Sequence, residues 1–151
     1  MEKQTFKILI DASPSRVWEI LLGEKTYPEW TSIFCEGSMV ETDWQEGSKT
    51  LFLDGNRNGM VSVIARNIQN EFLSIKHLGE VKNGVEDTES ESVKKWAGCF
   101  ENYTLKSADG LTELIIDIDI TEEFKDYFIN TWPKALDKVK DLAEKKNQPV
   151  G

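Results

Sequence analysis

Apolar residues recur every three or four positions near the end of this chain and every two positions through its middle, which predicts one long helix set against a sheet. Between Thr121 and Lys146, the residues Phe124, Phe128, Trp132, Ala135, Leu136, Val139, Leu142 and Ala143 fall on one helical face. Thr121 is the expected N-cap, Glu122 and Glu123 suit the positive end of the helix dipole, and Lys145 and Lys146 suit the negative end. Pro133 leaves two courses open. It bends one continuous helix and holds the first turns away from the sheet, or it marks the first turn of a helix starting near Trp132, with Thr121 to Ile129 a separate short segment.

Upstream the period is two. Phe6, Ile8 and Ile10 predict a first strand, after which Ser13 as N-cap and Pro14 at the first helical position open a short helix with Val17, Trp18, Leu21 and Leu22 as its apolar face, ended at Gly23. Thr26 to Trp30, interrupted by Pro28, reads as a turn or brief helical crossing whose aromatics edge a cavity. An antiparallel meander follows from Gly37. Its strands are expected at Lys49 to Leu53, Met60 to Ile68, Phe72 to Leu78, Trp96 to Lys106 and Thr112 to Ile120, with turns at Asp54 to Gly59 and Ala108 to Gly110. Glu80 to Lys95 has scarcely an apolar residue and reads as a mobile loop, a solvated connection or a lid. A lone long helix among strands must be covered by the sheet.

The 151 residues, 39% hydrophobic and 30% charged, suit one domain covering 1–151. The net charge of -9 disfavours nucleic-acid phosphates and anionic lipid surfaces as partners. No apolar run approaches membrane-spanning length and the N-terminus has no signal core, so the expectation is a cytoplasmic protein without membrane insertion. Cys35 and Cys99 stand far apart, outside any CxxC spacing, which predicts reduced, partly buried thiols and neither a disulfide nor a zinc site. Asp117 and Asp119 lack the glycine and terminal glutamate of a calcium loop, so no metal and no cofactor are expected. Phosphate-binding glycine loops and a Gly-x-Ser-x-Gly elbow are missing too. The glycosylation sequon at Asn102-Tyr103-Thr104 reads as chance.

The stretch Ala12-Ser13-Pro14-Ser15-Arg16-Val17-Trp18-Glu19-Ile20-Leu21 resembles the Ala-x-Pro-x-x-Val-Trp-x-x-Leu entry into the first helix of START-related helix-grip (SRPBCC) proteins. The branch whose entry it resembles is the one named after the carboxy-terminal domain of the heat-shock chaperone ATPase activator. Trp96-Ala97-Gly98, Glu101 to Leu105, Asp109 to Leu114 and Trp132 to Leu136 are similar to later signatures of small bacterial members. The resemblance runs nearly end to end. It implies an α+β helix-grip fold, a curved antiparallel sheet of six or seven strands around a long C-terminal helix with two short helices after the first strand. It also implies an apolar ligand cavity, in a superfamily that includes carriers, cyclases, resistance proteins and chaperone partners.

Strand alternation assigns the inward face. Leu114, Ile116, Ile118 and Ile120 face the helix, and their neighbours turn Leu105, Tyr103 and Glu101 inward, with Leu73, Ile75 and His77 sharing that face. His77, Glu101 and Tyr103 then form either a polar set that positions a ligand, a general acid and base set, or a purely structural group. Trp30, Phe34, Phe128 and Trp132 supply apolar surface, with Phe128 and Trp132 the first choices for the cavity wall. The expected function is binding of a small apolar or amphipathic molecule between sheet and helix. A cyclase or dehydratase-like enzyme in the same cavity is the alternative, a chaperone-interacting domain a weaker one, and dimerisation through an exposed strand edge is open.

Overall fold

The computed structural model describes residues 2–145. Strand β1 (Glu2–Ile10) leads into helices α1 (Pro14–Leu22) and α2 (Thr26–Thr31), followed by β2 (Met39–Glu41), β3 (Lys49–Leu53), β4 (Gly59–Ile68), β5 (Phe72–Lys82) and β6 (Val85–Asp87). Helix α3 (Glu91–Lys94) precedes β7 (Phe100–Ala108) and β8 (Leu111–Ile120), and a 3-10 turn (Glu122–Phe124) opens the long helix α4 (Lys125–Glu144). The strands form one antiparallel sheet in the order β1-β8-β7-β5-β4-β3-β2, with β6 paired to the far end of β5. This is the α+β helix-grip arrangement expected, with eight strands in place of six or seven.

The N-terminal expectations hold in detail. Ser13 has extended backbone and its Oγ accepts from the Arg16 N–H at 3.2 Å, with Pro14 at the first helical position. Ser13→Ala is therefore expected to lower the unfolding free energy by about 1 kcal/mol. An unchanged urea midpoint and slope would show that this cap contributes nothing. The Trp30 indole N–H donates to the Leu21 carbonyl at 3.2 Å and so ties α2 to the end of α1. Arg16 does the same for α4, donating to the Leu142 and Ala143 carbonyls at 3.3 and 3.5 Å, where a helix end leaves carbonyls unpaired.

The helix α4 runs unbroken through Pro133, which is exposed, so the division of this segment at Trp132 does not occur. Its buried face is Thr131, Trp132, Ala135, Leu136, Val139 and Ala143, packed with Leu114, Ile116, Ile118 and Ile120 in one core. Two expectations need correction at its start. The Thr121 side chain makes no capping hydrogen bond, and Phe124 is 50% exposed, because the tighter 3-10 turn rotates these residues off the register that the later turns follow. Lys146, expected to close the helix, lies outside the described residues.

The segment Glu80 to Lys95 is also more ordered than its composition suggests. Strand β5 continues to Lys82, β6 pairs back on it, and α3 buries Val93 completely. The hydrogen bonds holding this hairpin belong to the backbone, and Asp87 Oδ1 accepts from the N–H groups of Glu89 and Ser90 at 3.1 and 3.0 Å. Gly79 permits the packing, since a Cβ there would lie 2.3 Å from the Asp87 carbonyl oxygen. Trp96 to Cys99, expected as the start of a strand, instead forms turns between α3 and β7.

Candidate functional site

Alternation along β5 and β7 carries a set of polar side chains into an otherwise apolar interior. Leu73 stands opposite Tyr103 and Ile75 opposite Glu101, while the His77 N–H donates to Cys99 O at 2.9 Å and its carbonyl accepts from Gly98 N at 2.7 Å. His77 is thereby one step diagonal from Glu101, within side-chain reach. On its other side, β4 slips by one residue against β5, so that Val61 faces Gly79 and Ser62 faces His77.

The result is a continuous hydrogen-bonded chain. Ser62 Oγ lies 2.7 Å from His77 Nδ1, His77 Nε2 lies 3.1 Å from Glu101 Oε1, and the Tyr103 hydroxyl donates to Glu101 Oε2. Ser62 is fully buried, His77 is 4% and Tyr103 5% exposed, and the Glu101 side chain is 16% exposed. Burial first, and the adjoining Glu101 carboxylate second, hold the Tyr103 phenol well above its usual pKa. The Tyr27 phenol is raised by the same two causes in the same order, against a lowering hydrogen bond with the Ser38 side chain. Both phenols therefore stay protonated, as donors. Among the described residues no Lys or Arg pairs with Glu101, and His77 is its ion-pair partner when protonated.

Around this chain sits an aromatic cluster. Trp132 packs edge-on against Phe34 with ring centroids 4.8 Å apart, and also meets Phe6, Trp30 and Tyr103 at 6.1, 6.1 and 6.2 Å. Tyr27 meets Trp30 at 5.6 Å, Trp44 at 6.2 Å and Phe52 at 6.3 Å. The Trp132 Nε1–H is buried without a protein acceptor.

What space these rings leave is small. A cavity of about 10 Å³, room for about one water molecule, is enclosed by Leu21, Leu22, Tyr27, Trp30, Trp44, Phe52, Leu73, Ile75 and Tyr103. The sequence reading expected a larger gap, and the rings it assigned to walls are the reason for the difference, since they fill the interior they line. The structure sets the nine expected site residues in three groups. Trp30, Leu73, Ile75 and Tyr103 border the cavity directly; His77, Glu101 and Trp132 lie behind that border. Phe34 and Phe128 sit half-buried at the N-terminal end of α4, 6.3 Å from each other and away from the cavity.

Tyr27 borders the cavity, as expected of the aromatics between Thr26 and Trp30, whereas Trp44, Phe52 and Ser62 escaped the sequence reading. Phe52 lies in an expected strand and could have been found by extending the alternation, whereas Ser62 meets His77 only through the pairing slip of β4 against β5, and Trp44 lies between strands, where no period exists. Cys99 is half-buried, and burial, then Asp119 and Glu101, push its thiol up to about 11, so it is no nucleophile at neutral pH. Cys35, expected to be partly buried, is exposed. Among the described residues no group of three or more His, Cys, Asp or Glu side chains is placed to hold a metal ion, and no helix is long and apolar enough to cross a membrane.

No family model matches the chain. Solved structures share its fold over almost its whole length. Protein MLL2253 from Mesorhizobium loti is 12% identical with a TM-score of 0.76, covering 97% of this chain and 99% of its own. The Aha1 dimer from Colwellia psychrerythraea is 17% identical with a TM-score of 0.73 and the same coverages of 97% and 99%. DynU16, from the dynemicin biosynthetic locus, is 13% identical with a TM-score of 0.71 over 95% of this chain and 48% of its own. The chain thus has the helix-grip fold implied by its resemblance to the START-related proteins. A curated protein, the glycine–tRNA ligase beta subunit of Persephonella marina, is 33% identical over 97 residues, which are 64% of this chain. The chain spans 13% of that relative.

Proposed function

We propose that this domain binds a small, largely apolar molecule bearing one polar group, between the sheet and α4. The observation that carries the reading is the Ser62–His77–Glu101–Tyr103 chain, four hydrogen-bonding side chains of which Tyr103 lines the cavity and the other three stand behind the lining. Buried polar groups are costly to assemble, and few convergent ones within an apolar wall are the usual composition of a ligand site. The cavity as it stands holds about one water, so entry of a ligand involves rearrangement of the rings, a side-chain repacking of the kind common on binding.

Native mass spectrometry of the protein purified from its own host, followed by release and identification of the bound molecule, tests this directly. With that molecule in hand, Tyr103→Phe and Glu101→Gln are each expected to weaken its affinity by about tenfold, the equivalent of one hydrogen bond. Unchanged affinity in both variants would remove the polar chain from the site.

One observation favours a second reading. A phenol and an imidazole on the two oxygens of a single carboxylate form a path along which a proton moves, which is what acid–base catalysis on a bound carbonyl or phenol requires. Turnover of the released molecule, lost in Glu101→Gln without loss of binding, would establish it. The likeness to the Aha1 dimer brings the fold alone to this chain.

A further inference from the structure

We propose that Trp44 is the gate of the cavity and that residues 42–48 form the strap that moves it. The proposal rests on the reading that this cavity takes a ligand, and adds where the ligand passes. Of the nine residues enclosing the cavity, Trp44 alone lies outside every helix and strand. Leu21, Leu22, Tyr27 and Trp30 are fixed by helical hydrogen bonds, and Phe52, Leu73, Ile75 and Tyr103 by the sheet, so displacing their backbones means breaking an element. Trp44 needs only a rotation of the strap between β2 and β3.

Its backbone points the same way. Trp44 has φ of 63°, a left-handed conformation that residues with large side chains rarely adopt. Contacts hold it there. The ring is half-buried over Tyr27 and Phe52, at 6.2 and 6.4 Å, and the Asn67 side-chain amide donates to the Trp44 carbonyl at 2.7 Å. A second tie runs from the Asn67 backbone N–H to Glu46 Oε1 at 3.0 Å. The strap ends are pinned to the sheet, Thr50 Oγ1 donating to Thr42 Oγ1 at 2.9 Å and Gly47 N to Ile64 O at 2.8 Å. Fixed ends, a strained centre and one side-chain amide at the middle are the parts of a latch. Trp44 also borders, with Asp43, Gln45, Glu46 and Asn67, an open groove of about 400 Å³.

The experiment uses the neutral fluorophore N-phenyl-1-naphthylamine, its association followed by stopped-flow fluorescence with the wild type and three variants. Asn67→Ala removes the tie to Trp44, keeping the backbone tie to Glu46 and the wall intact; Trp44→Gly removes the ring and the backbone strain; Phe34→Ala opens the other end of the interior, between α2 and α4. Asn67→Ala is expected to speed association by about tenfold, the factor that loss of one hydrogen bond allows, Trp44→Gly by at least as much, and Phe34→Ala not at all. Faster entry in Phe34→Ala with unchanged entry in both strap variants would overturn the gate and leave the ligand reading standing. Failure of the dye to bind any of the four proteins at saturating concentration would overturn the ligand reading, and the gate with it.

Discussion

Replacing Trp132 by alanine is expected to lower the unfolding free energy by about 3–5 kcal/mol, the range for truncating a large buried aromatic. Trp132 is 3% exposed and is the ring on which Phe6, Trp30, Phe34 and Tyr103 converge, so its removal leaves a hole bounded by β1, β7, α2 and α4 at once. The neighbours are held by helices and strands and collapse only in part, which is why the cost exceeds that of the lost transfer free energy. Trp132→Phe separates volume from polarity. It retains one ring and removes a buried N–H that has no protein acceptor, so its expected cost is about 1–2 kcal/mol. Equal losses for the two variants in urea denaturation would mean that a phenyl ring recovers none of the packing of the indole.

The second large effect is expected at His77. Its replacement by leucine should cost about 2–4 kcal/mol, because Ser62 Oγ and Glu101 Oε1 each lose a hydrogen-bond partner in surroundings where water replaces it poorly. Ser62→Ala alone removes one bond. In the His77→Leu background the same change removes a hydroxyl already stranded, and is expected to be neutral or stabilising. The double-mutant cycle should therefore show a coupling of about 1 kcal/mol. Additive losses would mean that the chain is not energetically continuous and that Ser62 finds its own solvation.

Much of this was legible in the chain because single physical rules governed it. Leu114, Ile116, Ile118 and Ile120 alternate with Glu113, Asp117 and Asp119, and burial follows that alternation on the face toward α4. Asp109 and Gly110 supply two successive left-handed residues, at φ of 50° and 85°, which is what a tight hairpin with the strand's own twist needs. The polar chain was half visible. Leu73, Ile75 and His77 keep the period of one face, and Tyr103 and Glu101 sit on their partner strand in the expected register. Ser62 depends on a pairing slip between β4 and β5, which no side-chain pattern announces.

The misreadings have equally local causes. A segment as polar as Glu80 to Lys95 folds on backbone hydrogen bonds and two buried valines, Val81 and Val93, neither of which has a period. Trp44 was passed over because an aromatic between strands has no face until the strap is built. The size of the cavity was beyond pattern altogether. Periodicity tells which rings point inward, whereas the space left between them depends on their rotamers and on how closely α2 approaches β3.

The sheet order also sets a timetable. In β1, Glu2 lies opposite Ile120 and Ile10 opposite Thr112, so the first of the described strands pairs with the last. Until β8 has emerged, the nascent N-terminal strand has no ladder to join, and α1 and α2 have no completed wall on which to settle. Pairings this distant in sequence make for slow folding, so the sheet should close only after β8 is made, and not while the strands before it are being added.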